Sequence, residues 1–264
     1  MTKTFLKKVV CLTSRLVFVA FTSLLVTFHV AAQTQQQLGK LVRIETARPG
    51  SLIPLFIDTK EGAKVTVLLL PGGMGGIGSL GGDGRPSGRN FLIRSSQDFV
   101  AAGFNVAMMS KPSDVEGLDG PRRLSSDHVD DIRKTLAYLK QQLRVPVWVV
   151  GTSLGSTSAA TAGIALRDEG LIDGIVLTSS GTNIRINHSV PNLDLRKINV
   201  PTLVLHHAQD ACKGTPPSGV SLILRELSNA PIKKQIMVNG GGNPTGDPCY
   251  ENHCLLYTSD AADE

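Results

Sequence analysis

The chain is poor in several residue types, and each shortage narrows the class of protein. Its 264 residues include only 4 cysteines, 1 tryptophan and 5% aromatic residues. No close-spaced set of Cys and His residues follows a zinc pattern, which argues against a metal site. No basic and aromatic cluster accompanies the net charge of +5, so nothing favours nucleic-acid binding. Internal repeats are also absent, which excludes an array of repeated units.

The rest of the composition is that of an ordinary globular protein, with 41% hydrophobic and 19% charged residues. Residues 33–253 are numerous enough for one domain with a sizeable core. The segments on either side of this range differ from it in character.

Residues 1–32 are typical of a secretory signal. Its basic residues are Lys3, Lys7, Lys8 and Arg15, and no acidic residue accompanies them. The apolar stretch from Leu16 to Val30 is short for a membrane span, and small residues precede Gln33. We therefore expect cleavage before Gln33, a periplasmic or secreted protein, and no stable membrane insertion afterwards. An uncleaved anchor helix is the alternative.

The most informative stretch is an apolar run that ends in Gly151-Thr152-Ser153-Leu154-Gly155 and leads into a small-residue helical segment. A strand, a sharp turn and a helix with Gly-x-Ser-x-Gly at the turn form a nucleophile elbow. The two glycines allow the strand and helix to approach closely, and Ser153 is then exposed at the carboxyl edge of the sheet. The alternative is a Gly-rich turn capped by the serine.

A nucleophilic serine needs a histidine base and an acid that orients it. Asp210 lies just past the carboxyl end of a predicted strand, and His253 follows a later strand and a Gly-rich loop. These two residues are the predicted acid and base. Asp247 is the second choice for the acid. His206 and His207, which end a strand beside Asp210, are interpreted as structural or as supporting the acid, with the base role as the alternative. His128, near a helix start, and His188, in a loop, are interpreted as surface or capping groups.

A glycine-rich loop follows the predicted strand at 65–70 and runs from Pro71 to Gly76. Its backbone N–H groups are unobstructed by side chains, so those of Gly73 or Met74, with that of Leu154, are predicted to bind an oxyanion. A flexible turn or a phosphate cradle are the alternatives, although the loop lacks the Gly-Lys-Ser/Thr ending of a P-loop.

On these motifs and their order, the chain resembles the α/β-hydrolase superfamily, in particular its small, secreted bacterial members without a lid. The resemblance runs from about Arg43 to His253. It implies Ser153 as nucleophile, Asp210 as acid and His253 as base, with no cofactor and no metal. Many esterases carry His-Gly-Gly where this chain has Pro-Gly-Gly, which leaves the first oxyanion donor open between Gly73 and Met74.

Strands and helices alternate along the predicted domain, which favours an α/β fold with a mostly parallel sheet, helices on both faces and an antiparallel N-terminal edge. Predicted strands lie near 43–47, 52–57, 65–70, 104–109, 146–150, 174–178, 201–206 and 233–238. Predicted helices lie near 91–102, 126–143, 154–167 and 216–228. The interval 179–209 is too short for a large cap domain. Residues 75–90 are interpreted as either a mobile flap over the site or a disordered surface loop.

Two of the cysteines, Cys212 and Cys249, fall within the predicted domain. An even pair in an exported protein favours a disulfide, which here would tie the acid loop to the base loop. Two free buried thiols or a metal pair are the alternatives.

The last residues, CLLYTSDAADE at 254–264, resemble the translation of a transposon-type sequencing adapter. We therefore expect this tail to be an artefact foreign to the protein, and the domain at 33–253 to be truncated at its C-terminus.

The sequence as a whole predicts a serine hydrolase that cleaves small ester-like substrates through a Ser-His-Asp triad. A peptidase, amidase or thioesterase of the same fold is an alternative, because substrate choice depends on loops. A binding protein of the cell envelope that has the fold without the activity is another. Nothing in the sequence indicates an oligomeric state.

Overall fold

A computed structural model describes residues 39–240 and 247–249 of the chain. The predicted signal segment, His253 and the tail at 254–264 lie outside the described residues.

The described chain forms one eight-stranded sheet with the order β1-β2-β4-β3-β5-β6-β7-β8. The strands are β1 Lys40–Glu45, β2 Leu52–Asp58, β3 Thr66–Leu70, β4 Asn105–Met109, β5 Val147–Thr152, β6 Gly174–Thr178, β7 Thr202–His207 and β8 Lys233–Val238. Strands β1 and β2 pair antiparallel, as do β2 and β4, and every other pair is parallel. The mostly parallel sheet with an antiparallel N-terminal edge is confirmed.

Six α-helices accompany the sheet in the described residues. They are α1 Phe91–Arg94, α2 Ser96–Ala101, α3 Gly120–Arg123, α4 Ser126–Leu143, α5 Leu154–Ala165 and α6 Val220–Glu226. Between β6 and β7 the chain makes only two short 3-10 turns, Val190–Asn192 and Leu195–Lys197, so no large cap domain lies there.

Burial follows the position of each strand in the sheet. Central strands such as β3 and β4 are buried at every residue, because helices cover both faces of a parallel sheet. The edge strand β1 alternates between exposed and partly buried residues instead. Successive side chains of a central strand point to opposite faces of the sheet, so they enter different cores.

The two faces of the sheet each carry a hydrophobic core. The larger core contains residues of α4, α5 and α6, and in β3 it takes Leu68. The smaller core contains Leu92 and Ile93 of α1 and takes Val67 and Leu69 of β3. Helix α4 begins at the Ser125 cap, whose hydroxyl accepts from the N–H of His128.

The loop at 75–90 is ordered and packs against the smaller core. Leu80 forms a β-bridge with Pro86, and Ile77 is buried in that core. The Arg85 guanidinium pairs with the buried Asp58 carboxylate at the end of β2. The interpretation of this loop as disordered is therefore wrong. Over the described residues, no helix has the length and apolar character needed to span a membrane.

Candidate active site

The turn between β5 and α5 holds Ser153 in a backbone conformation that is rare for a residue with a side chain. Its φ is 52° and its ψ is −125°. Positive φ for a serine signals local strain that the surrounding structure must hold in place. Hydrogen bonds do so here: Ser153 N–H donates to the Thr178 carbonyl at 3.1 Å, and the Ser153 carbonyl accepts from the N–H of Ser156 at 2.9 Å.

The glycines of the motif are required by close backbone contacts. A Cβ added to Gly151 would lie 2.2 Å from the carbonyl oxygen of Gly155. A Cβ added to Gly155 would lie 2.0 Å from the carbonyl oxygen of Leu70, at the end of β3. Both positions therefore need glycine for the helix to sit this close to two strands, which is the reason given for the motif in the sequence.

Ser153 lines a cleft of about 620 Å³ at the carboxyl ends of the parallel strands. The predicted oxyanion donors Gly73, Met74 and Leu154 line the same cleft, together with Cys212 and Cys249. Seven glycines of the described chain also form its walls, and they are Gly72, Gly73, Gly76, Gly78, Gly88, Gly181 and Gly214. Backbone thus supplies much of the cleft surface.

The N–H groups of Gly73, Met74 and Leu154 donate to no acceptor within residues 39–240 and 247–249. The loop that carries the first two lies directly against the serine. A Cβ added to Gly72 would be 2.8 Å from Ser153 Cβ. The cleft therefore has backbone donors on both sides of the serine.

A buried arginine holds that loop from behind. Arg123 is 1% exposed, and its Nη2 donates to the carbonyls of Pro71 at 3.1 Å and Gly73 at 3.0 Å. Its Nε donates to the carbonyl of Leu118 at 2.9 Å, and its Nη1 donates to Ser158 Oγ at 2.8 Å. Burial lowers the pKa of Arg123 to about 9, so the group is a cation at neutral pH.

His128 completes this buried group, with its Nε2 2.8 Å from Ser158 Oγ. Burial, with the nearby charges of Arg123 and Arg48, lowers the pKa of His128 to about 3. His128 is therefore neutral, and its interpretation as a surface or capping group is wrong.

Asp210 follows β7, as predicted, and its carboxylate is held by several donors. Oδ1 accepts from the N–H of Cys212 at 2.9 Å, and Oδ2 accepts from the hydroxyl of Thr215 at 2.8 Å. The residue is 8% exposed, and Thr215 itself lines the cleft. Donors on both oxygens fix the orientation of the carboxylate.

The two histidines that end β7 are buried, in keeping with a structural role. His206 Nε2 lies 2.9 Å from the Thr215 carbonyl and 3.2 Å from Asp210 Oδ2. Because a carbonyl can only accept, this nitrogen carries a proton and faces the Asp210 carboxylate. His207 Nε2 lies 3.0 Å from the carbonyl of Gly240.

A third histidine, His188, lines the cleft and packs against Gly120, where an added Cβ would lie 2.2 Å from its ring. The interpretation of His188 as a surface or capping group did not place it in the wall of the cleft. The predicted base, His253, lies outside the described residues.

Cys212 and Cys249 form a disulfide, as the sequence predicted. The bond joins the loop that carries Asp210 to the segment after β8, and both cysteines line the cleft. In residues 39–240 and 247–249, no group of three or more His, Cys, Asp or Glu side chains is placed to hold a metal ion.

No family model and no curated protein matches the sequence. Solved structures match in fold. An α/β serine hydrolase without a lid from Xanthomonas campestris is 16% identical, with a TM-score of 0.55 over 78% of this chain and 85% of that one. An esterase from Pyrococcus furiosus is 14% identical, with a TM-score of 0.56 over 76% and 82%. A dienelactone hydrolase from Anabaena variabilis is 14% identical, with a TM-score of 0.54 over 78% and 88%.

These likenesses, with the sheet order and the missing cap, show that the protein has the α/β-hydrolase fold. The sequence did not single out Arg123 or Ser158, which support the loop and helix beside Ser153. Arginine is seldom buried, and nothing in Pro121-Arg122-Arg123 marks which guanidinium enters the core.

Proposed function

We propose that the protein is a serine hydrolase that cleaves small ester-like substrates through an acyl-enzyme. The strained backbone of Ser153 carries this proposal, because such strain is retained where the surrounding structure has a use for it. The conformation lifts the side chain into the cleft, between backbone N–H groups that have no other acceptor among the described residues.

In the proposed mechanism, Ser153 Oγ attacks the ester carbonyl and gives its proton to His253. The N–H of Leu154 and that of Gly73 or Met74 bind the oxyanion that forms. Asp210 holds the imidazole in the required tautomer and stabilises its charged form. His253 then returns the proton to the leaving alcohol, and a water activated by the same histidine releases the acyl group.

We further propose that the protein acts in the periplasm or outside the cell. The disulfide supports this setting, since disulfides persist in oxidising compartments. A small ester-like molecule fits a cleft of about 620 Å³, which lies within the usual range for small-molecule sites.

Fluorophosphonate labelling of the exported protein tests the proposal. Wild type should take up one label at Ser153, and Ser153→Ala should take up none. A folded wild-type protein that remains unlabelled would overturn the proposal and favour a binding protein. For a wild-type protein that is labelled, turnover of matched ester, thioester, amide and peptide substrates separates an ester hydrolase from a thioesterase, amidase or peptidase.

The same assay tests the acid and the base with paired variants. His253→Gln should lower the labelling rate by at least a hundredfold, whereas His188→Gln should keep most of it. Asp210→Asn should lower the labelling rate too, and in ester turnover it should lower kcat by as much as about 10⁴-fold. Asp247→Asn changes an exposed carboxylate and should leave the rate intact. The reverse pattern in either pair would assign the role to the other residue.

A further inference from the structure

Arg123 is a buried cation that forms no salt bridge with a carboxylate of the described residues, and the charge of Asp119 acts on it only from a longer distance. No carboxylate of the described residues lies within salt-bridge distance of its guanidinium, and its acceptors are three backbone carbonyls and one hydroxyl. Removing a cation from water without a carboxylate in contact is unfavourable, so a purely structural role would be served better by an apolar side chain. The position of its acceptors points to a different role.

Two of these acceptors belong to the loop beside Ser153. The carbonyls of Pro71 and Gly73 accept from Arg123, and the carbonyl between them, that of Gly72, accepts from the N–H of Gly75 at 3.1 Å. Three successive carbonyls are thus held by donors. Because C=O and N–H of a trans peptide point in opposite directions, holding the carbonyls also fixes the direction of the N–H groups.

The guanidinium also connects this loop to helix α5. Its Nη1 donates to Ser158, which lies on the helix whose first residue, Leu154, carries another N–H that donates to no acceptor in the described part of the chain. Ser158 is held in turn by His128. One side chain therefore ties together the two segments that carry the donors on either side of Ser153.

We propose that Arg123 is a positioning residue for the oxyanion site. It holds the 71–74 loop at a fixed distance from α5, and its charge polarises the Gly73–Met74 peptide so that the Met74 N–H becomes a stronger donor. The stronger donor stabilises the oxyanion more than the neutral ester, so the effect of Arg123 is largest when negative charge develops on the substrate. This inference rests on the proposed function of the same cleft.

Arg123→Met tests the proposal because it keeps an extended apolar side chain and removes every donor and the charge. We expect kcat/KM for p-nitrophenyl butyrate to fall by about a hundredfold, comparable to the loss of one oxyanion donor. The inhibition constant of a trifluoromethyl ketone, which forms an anionic adduct with a serine, should rise by the same factor. Arg123→Lys, which keeps the charge and fewer donors, should recover part of both losses.

Arg122→Met is the matched control, because it removes the same charge from the neighbouring, exposed residue. It should leave both constants unchanged. If Arg123→Met does not fold, Arg123→Lys and Ser158→Ala take its place, each with an expected loss of about tenfold. Folded variants with native kcat/KM and native inhibition by the ketone would overturn the proposal.

Amide hydrogen exchange separates this inference from the proposed function. In a folded Arg123→Lys variant, the Gly75 amide, which donates to the Gly72 carbonyl inside the loop, should exchange at least tenfold faster than in wild type, whether or not the protein hydrolyses esters. Unchanged exchange there would reject the positioning role. Failure of wild type to take up a fluorophosphonate would instead reject the hydrolase.

Discussion

At the scale of single residues, the protein keeps two ionisable side chains in contact with one buried hydroxyl, and only one of them is charged. Arg123 and His128 both bind Ser158 Oγ. A second charge there would be desolvated and would repel the guanidinium, so the imidazole stays neutral. This arrangement makes the stability of the fold depend on pH.

His128 should destabilise the protein as the pH falls below about 6.5. Its pKa is about 3 in the folded protein and near 6.5 in the unfolded chain, so between these values the unfolded state binds more protons. The free energy of unfolding should therefore decrease by about 1.4 kcal/mol for each pH unit lowered across this window. Urea unfolding of wild type and His128→Gln at pH 7, 6, 5 and 4 measures this slope.

The contribution of His128 is the difference between the two slopes, since the carboxylates titrate in both proteins. His128→Gln should lose stability less steeply with falling pH. Parallel curves for the two proteins would show that His128 titrates in the same way in both states and would contradict the assignment.

At the scale of elements, the site lies where backbone atoms of β3, β5 and α5 are in direct contact. The carbonyl of Leu70 ends β3 directly against Gly155. The backbone strain at Ser153 and the close approach of α5 to β3 thus depend on each other. A methyl group added at Gly155 tests this dependence.

Gly155→Ala should destabilise the protein by about 1–3 kcal/mol, because its Cβ meets a backbone carbonyl that can move only with its strand. Labelling of Ser153 should fall as the elbow shifts. Gly82→Ala is the control, since a Cβ there meets no atom within 4 Å. Thermal unfolding and labelling of both variants provide the comparison, and equal stabilities would argue against the tight junction.

The elements were predictable wherever hydrophobic periodicity extended over enough residues. All eight strands form within about three residues of their predicted bounds, and α4 occupies 126–143 as expected. The predicted helix at 91–102 is two short helices, which meet at Ser95. Helix α3 was missed because four residues are too few to show a period, although Asp119 caps it and Pro121 follows.

The candidate site was predictable to the extent that it follows from motifs. Ser153, Leu154 and the glycines of the loop could be placed because backbone geometry demands those residue types. The support behind them could not, since Arg123 and Ser158 come from elements that are distant in sequence and their contacts follow only from the packing of α3 against α5.

At the scale of the whole molecule, a disulfide ties the loop after β7 to the segment after β8. The disulfide spans 37 positions and lies in the cleft wall beside the Asp210 loop. Its loss therefore changes both the unfolded chain, which gains freedom, and the site, which loses a restraint.

Cys212→Ser with Cys249→Ser should lower the free energy of unfolding by about 3–4 kcal/mol, the chain-entropy expectation for a loop of this length. The labelling rate of Ser153 should fall as well. Urea unfolding and labelling with and without dithiothreitol measure both effects. Dithiothreitol should weaken wild type and leave the double variant unchanged, and a wild-type protein indifferent to the reductant would count against the prediction.

The glycine walls of the cleft bear on how such a site diverges during evolution. A Cβ at Gly76 meets no atom within 4 Å, and at Gly181 and Gly214 its nearest contacts are at 4.0 and 3.7 Å. None of the three has the positive φ that would exclude other residues. Single codon changes at these positions add side chains to the cleft while the backbone around Ser153 stays in place. Descendants of this protein can thus narrow the range of molecules that the cleft admits one substitution at a time, without passing through an unfolded ancestor.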